Sequence, residues 1–337
     1  MPNQLNLGII GAGRIGRVHA ESIYRIPNAT VLGVSDLYLE SAQQCAADFD
    51  IPAAHQDHRV LLDDPAIDAI VICSSTDTHT QFMREAAEAG KHIFCEKPIA
   101  LDLAEIDAAL ETVARCGVKL QMGFNRRFDS NFRHLHEVVQ SGQIGTPHLV
   151  RITSRDPAPP PISYINVSGG IFLDMMIHDF DMVRYLMGEE VEELHAIGAV
   201  LVDPAIGEAG DIDTAVVTLK FTSGALGVID ISRQAVYGYD QRAEVFGSNG
   251  AIEATNKTPR NTIHSSADGV QQANPLYFFL ERYMDAYVAE MRAFVDAIQN
   301  ETPVPVGGMD GRIPVVMGLA AGKSLREGRP VRLAEIG

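Results

Sequence analysis

Apolar positions in the first 123 residues fall in short unbroken runs, separated by stretches of helical period. The runs at 5–10, 30–35, 68–73, 92–95 and 118–123 read as strands, with a weaker strand and a short helix within 53–63. The stretches 14–25, 39–49, 78–89 and 103–116 carry the 3.6-residue spacing of helices. Strands apolar along their whole length are covered on both faces. Their alternation with helices predicts right-handed crossovers on a parallel sheet.

Beyond about residue 124 the pattern changes. A helix is expected over 131–141, a strand over 148–154 and one continuous helix over 171–187. Asp156-Pro157-Ala158-Pro159-Pro160-Pro161 cannot be regular structure. Strands then follow near 194–202, 213–221, 225–233, 241–247 and 250–254, joined by turns such as Thr222-Ser223-Gly224 and Gly247-Ser248-Asn249-Gly250. Strands in close succession predict an antiparallel sheet. Helices near 277–299 and 310–326 close the chain. The expected fold class is α/β: a dinucleotide-binding domain at 1–124, then an α+β domain at 125–337 with an open, mainly antiparallel sheet. The C-terminal tail is free to pack back on the first domain.

The 337 residues are 46% hydrophobic and 21% charged, an ordinary globular balance. A net charge of −17 argues against a nucleic-acid partner, because phosphate backbones are bound by clustered Lys and Arg. The four cysteines, Cys45, Cys73, Cys95 and Cys116, show no metal or redox spacing and are expected as reduced thiols. No stretch approaches the ~20 apolar residues of a membrane helix, and no export signal is evident, so a cytosolic protein is expected.

Gly11-Ala12-Gly13-Arg14-Ile15-Gly16 lies between a predicted strand and a predicted helix. There Gly11 and Gly13 allow a tight turn and close approach to a pyrophosphate, and Gly16 allows close helix–sheet packing. The helix N-terminus behind Arg14 and Ile15 offers N–H groups to phosphate. Asp36 ends the second strand, where an acid accepts bonds from ribose hydroxyls and repels a 2′-phosphate. NAD is thus expected over NADP, with Arg14 and Arg17 leaving dual use open. Ser74, Ser75, Thr76 and His79 follow the fourth strand, either against the cofactor or as a helix cap, with Thr78 the more cap-like residue. In Cys95-Glu96-Lys97-Pro98, Glu96 and Lys97 are expected beside the bound cofactor, with Lys97 placed to orient a hydroxyl and help move its proton; a surface turn is the plain alternative. Asp174 and His178 stand four apart on the predicted 171–187 helix. They form either an acid/base pair or a capping acid with a core histidine. Asn125, Arg126, Arg127, Arg155, Asp156, Tyr237 and Tyr239 are weaker candidates for substrate contact.

Together Gly11–Gly16, Asp36, Glu96-Lys97-Pro98 and Asp174 with His178 resemble, in order and spacing, the glucose–fructose oxidoreductase and inositol dehydrogenase family. The resemblance covers essentially the whole chain. Gly123-Phe124-Asn125-Arg126-Arg127-Phe128-Asp129 and the stretch 154–178 look most like the members that oxidise myo-inositol at C2. It implies an NAD-dependent oxidoreductase with the nicotinamide at the domain cleft. It also implies that His178 takes the hydroxyl proton, that Lys97 contacts the oxygen and that Asp174 orients the ring. Arg127, Asp156 and Tyr237 would line the pocket. A homodimer or homotetramer formed through the C-terminal sheet is implied as well. The proline-rich loop after Asp156 departs from the family pattern. Another cyclitol, such as scyllo- or chiro-inositol, a pyranose, or a non-catalytic dinucleotide-sensing role are the alternatives.

Overall fold

In the computed structural model, which describes residues 4–337, the early apolar runs form one six-stranded sheet. Its elements are β1 (Leu5–Ile10), α1 (Arg14–Tyr24), β2 (Ala29–Ser35), α2 (Leu39–Asp48), β3 (Ala53–His55), α3 (Arg59–Asp63), β4 (Ala69–Ile72), α4 (Thr76–Glu88), β5 (His92–Glu96), α5 (Leu103–Cys116) and β6 (Leu120–Gly123). All strand pairs are parallel, in the order β3-β2-β1-β4-β5-β6. That order reverses direction between β1 and β4, where doubly wound sheets bind dinucleotides.

The second group of elements comprises α6 (Ser130–Gln140), β7 (Pro147–Arg155), α7 (Ile162–Ser168), α8 (Gly170–Asp174), α9 (Ile177–Met187), β8 (Val191–Ala199), α10 (Pro204–Glu208), β9 (Thr214–Phe221), β10 (Leu226–Ser232), β11 (Asp240–Gly247) and β12 (Gly250–Ala254). A fully exposed hairpin follows, β13 (Ile263–Ser266) and β14 (Gly269–Gln272), and then α11 (Phe279–Gln299), α12 (Gly308–Glu327) and β15 (Val331–Arg332). The larger sheet runs β12-β11-β7-β10-β9-β8-β15. Every pairing is antiparallel except β7 with β10, which runs parallel; the chain leaves β7 and returns beside it three strands later.

Two compact units result. One holds the chain up to Phe128 together with Met284–Ile313; the other holds Asp129–Tyr283 and Pro314–Gly337. Met291, Phe294 and Val295 of α11 are fully buried in the first unit's core, beside Leu7, Ile9, Val71 and Phe94. In the second unit, Asp129 caps α6 through Asn131 and Phe132 N–H, and its carboxylate is buried against Arg282 and Lys257.

The expected single helix over 171–187 is two. α8 stops at Asp174, and a turn at Met175 and Met176 separates it from α9. Met175 and Met176 both donate to the carbonyl of Ile171, which closes α8 off. Asp174 and His178 therefore flank a corner rather than sharing one helix face. α7, α10 and the exposed hairpin were not expected from the sequence.

Candidate active site

In the turn after β1, two glycines, Gly11 and Gly16, cannot be replaced without displacement. A Cβ on Gly11, whose φ is 101°, would lie 2.6 Å from the Cys73 and Ser74 backbone; one on Gly16 would lie 1.8 Å from the Gly11 carbonyl oxygen. The loops after β1 and β4 thus touch through their backbones. Gly13 differs: a Cβ there would meet nothing within 4 Å. It is the N-cap of α1, no side chain caps it, and it faces an open concavity at the positive end of the helix. That is the shape a diphosphate requires, so the residues fit NAD. Alongside lies a groove of about 390 Å³ lined by Ala12, Gly13, Arg14, Arg17, Glu40, Ser41 and Gln44.

Asp36 stands at the end of β2 and is already partly engaged. Its Oδ2 accepts from Ala12 N–H at 2.7 Å and its Oδ1 from Tyr38 N–H at 2.9 Å. The acid therefore ties the glycine turn to the start of α2. Leu37 and Tyr38 are exposed directly beyond it and form an apolar ledge next to the acid. Arg17 pairs with Asp48 and lies over the Phe49 ring.

The helix after β4 begins at Thr76, two residues earlier than expected, with Ser75 in the N-cap position. Thr78 is inside it. Its hydroxyl donates back to Ser75 O at 2.7 Å and lies 2.7 Å from the Ser74 hydroxyl. His79 is buried. Its Nδ1 lies 2.8 Å from Pro98 O and its Nε2 3.1 Å from Ser74 O, and burial lowers its pKa. Both nitrogens are thus directed at protein carbonyls. Lys97 follows β5 and precedes a cis peptide bond to Pro98. Glu96 is turned toward α1: Oε1 lies 2.7 Å from Nε2 of buried His19, and Oε2 accepts from Lys97 N–H at 3.3 Å. Arg127, in a 3-10 turn, donates to Asp310 at 2.9 Å.

The second unit carries the other titratable candidates. Asp174 ends α8, and half-buried His178 is in the first turn of α9. Asp174 Oδ1 accepts from the Tyr164 hydroxyl at 2.8 Å and Oδ2 from Arg233 at 3.3 Å. Arg233 is 1% exposed and also donates to Asp211 at 3.2 Å, while Asp211 accepts from Ile171 N–H at 3.1 Å. One buried guanidinium thus fixes both Asp174 and the start of α8. Arg233, Asp211 and Tyr164 escape a sequence reading because each is a lone polar residue far from Asp174 in the chain. Tyr237 donates to Asp240 at 2.6 Å and accepts from Arg155 at 3.2 Å. Burial and the Asp240 bond raise its pKa, so the phenol stays protonated. Asp156 follows β7, its N–H donating to Ser232 O and its carbonyl accepting from Ala235 N–H.

Among the described residues, no cluster of His, Cys, Asp and Glu could hold a metal ion, and no helix is long and apolar enough to cross a membrane.

Comparison with known proteins agrees with this architecture. The myo-inositol 2-dehydrogenase of Thermotoga maritima is 52% identical over 98% of this chain and 99% of its own. The crystal structure of a myo-inositol dehydrogenase from Corynebacterium glutamicum superposes with a TM-score of 0.93 at 39% identity, covering 98% of this chain and 99% of that one. The scyllo-inositol dehydrogenase of Lactobacillus casei, solved with NAD(H) and scyllo-inositol, superposes with a TM-score of 0.92 at 29% identity, over 98% and 100% of the two chains. Residues 5–124 match the oxidoreductase family with an NAD-binding Rossmann fold, and residues 132–253 match the GFO/IDH/MocA C-terminal domain. The matched domains and the full-length likeness show that the chain belongs to the GFO/IDH/MocA family of NAD-binding oxidoreductases.

Proposed function

We propose that this chain oxidises myo-inositol at C2 to the 2-keto product, with NAD as hydride acceptor. The observation that carries the reading is full-length likeness, at 52% identity, to a myo-inositol 2-dehydrogenase in a chain that has Lys97, Asp174 and His178. When bound, NAD supplies the hydride chemistry; the chain supplies position and proton handling. His178 takes the hydroxyl proton as the C2–H bond breaks and then releases it to solvent. Lys97 hydrogen-bonds the same oxygen and stabilises negative charge as it develops. Asp174, held by Arg233 and Tyr164, accepts from ring hydroxyls. Arg127, Asp156 and Tyr237 contribute to the polyol pocket. Gly11, Gly13 and Gly16, with the N–H groups behind Arg14 and Ile15, receive the diphosphate. Asp36 selects NAD, and Ser74, Ser75 and Thr76 border the cofactor.

A panel of cyclitols and pyranoses, assayed with NAD and NADP by absorbance of the reduced nicotinamide, tests this reading. Fastest turnover of myo-inositol with NAD is expected. NAD binding without turnover of any polyol would instead establish a dinucleotide sensor, and preference for scyllo-inositol would reassign the substrate.

The reading includes self-association through the larger sheet. Its uncovered face presents Ile197 beside Val216, and Leu226 and Phe246 on either side of Leu149. Apolar rows of this kind call for a cover, and a second copy supplies one, giving a dimer or tetramer. We place the protein in the cytosol, where its four thiols remain reduced.

A further inference from the structure

The corner Glu96-Lys97-Pro98 is gripped at both ends by histidines that the proposed chemistry does not use. At its start, the Glu96 carboxylate rests over Gly123, where a Cβ would come within 3.0 Å of it, and meets His19 Nε2 at 2.7 Å. His19 has no solvent exposure and lies edge-on to Phe94 and Tyr287. Its Nδ1 is buried without a hydrogen-bond partner. The proton therefore belongs on Nε2, since an orphaned lone pair costs less than an orphaned N–H beside a carboxylate. Nε2–H thus donates to Oε1, and Oε2 is left to accept Lys97 N–H. At the far end the carbonyl of Pro98 meets His79 Nδ1 at 2.8 Å, the shorter of the two His79 contacts. His19 sits on α1, the helix behind the glycine cradle, and His79 on α4.

We propose that His19 and His79 are positioning residues that clamp the Glu96–Pro98 corner and so fix the Lys97 side chain relative to the dinucleotide cradle. The inference rests on the role proposed for Lys97. His19 is given no contact with cofactor or substrate, and His79, a candidate cofactor neighbour by sequence, turns both ring nitrogens to the carbonyls of Pro98 and Ser74. They act through Glu96 and Pro98, and a displacement of about 1 Å at such a distance from the reacting atoms can cost ~10²-fold in rate.

The test compares His19→Leu, which removes the donor and suits an apolar site, with His19→Gln, whose amide keeps a donor for Glu96. Two quantities are read on folded protein: the split of kcat against KM for NAD, and the acylation rate of Lys97 by an amine-reactive reagent without cofactor, followed by peptide mass spectrometry against the other lysines. His19→Leu is expected to lower kcat by ~10–10²-fold with KM for NAD within about threefold, and to change Lys97 acylation several-fold; His19→Gln restores most of both. Unchanged kcat and acylation in His19→Leu overturns the clamp, and so does a His19→Gln protein as impaired as His19→Leu. If His19→Leu does not fold, His79→Leu loosens the other end and is judged by Lys97 acylation without cofactor, where an unchanged rate overturns the clamp. The acylation arm needs no turnover. A wild type inactive on every polyol would defeat the proposed function while that arm still decides the clamp.

Discussion

His178 is the residue on which the proposed chemistry depends most. Without a base, hydride departure would leave a protonated ketone, a high-energy product. His178→Ala is expected to lower kcat by ~10²–10⁴-fold while NAD binding is retained. A near wild-type kcat in folded, NAD-binding protein would remove His178 from the mechanism. Asp36 calls for a finer experiment, because its carboxylate accepts from Ala12 N–H and Tyr38 N–H. Asp36→Ala leaves buried Ala12 N–H unpaired, a cost of about 1–3 kcal/mol. It should therefore weaken both dinucleotides. Asp36→Asn keeps an acceptor oxygen and removes the charge. The kcat/KM ratio of NAD to NADP should fall in Asp36→Asn with less loss of stability than in Asp36→Ala. A wild type that already prefers NADP would contradict the role given to Asp36.

The strand–turn–helix around Gly13 separates folding from binding. Gly13→Ala adds a methyl to open space and should change unfolding free energy by no more than about 1 kcal/mol, yet it fills the cradle and should abolish tight NAD binding. Gly16→Ala must push α1 off the Gly11 carbonyl and should lose both. Calorimetry with and without NAD distinguishes them, and wild-type affinity in Gly13→Ala would count against the cradle. α6 offers a pH test. Burial raises the Asp129 pKa, but the Arg282 hydrogen bond and the charges of Arg282 and Lys257 outweigh it and hold the group below its usual value. A carboxylate depressed on folding stabilises above its unfolded pKa, near 3.9, and loses that contribution as pH falls through the folded value. Asp129→Asn keeps the cap but strands Arg282, at about 3–5 kcal/mol. The gap between wild type and Asp129→Asn in urea unfolding should be full at neutral pH and shrink below pH ~4; a gap independent of pH would contradict the pairing. Elements of this kind differ in how far the sequence exposes them. The strands of the parallel sheet announce themselves because both faces are buried. The break at Met175 does not, since Ile171, Phe172, Leu173, Met175, Met176 and Ile177 are apolar whether the helix continues or turns. The groups that hold α8 at its two ends, Asp211 on Ile171 N–H and Arg233 on Asp174, come from 37 and 59 positions beyond Asp174. His19 is hidden for the same reason: its meaning lies in Glu96, 77 residues away.

At the scale of the whole molecule, the uncovered face of the larger sheet should be buried by a second copy. Sedimentation at micromolar concentration is expected to show a species larger than a monomer, and Leu226→Lys with Val216→Lys should shift it downward. A compact wild-type monomer would refute the assembly. The residues of α11 packed into the first unit carry a different consequence, for the order in which the chain can fold. Met291, Phe294 and Val295 are made long after the first 128 residues, and until then Leu7, Ile9 and Phe94 lack these three of their neighbours. The first unit must therefore wait for α11 before its core is complete. Its contacts are long in sequence, so its final consolidation should be slow and late, with apolar surface open to chaperones in the interval. A fragment ending near residue 128 should behave as a collapsed, aggregation-prone intermediate rather than as a small independent nucleotide binder.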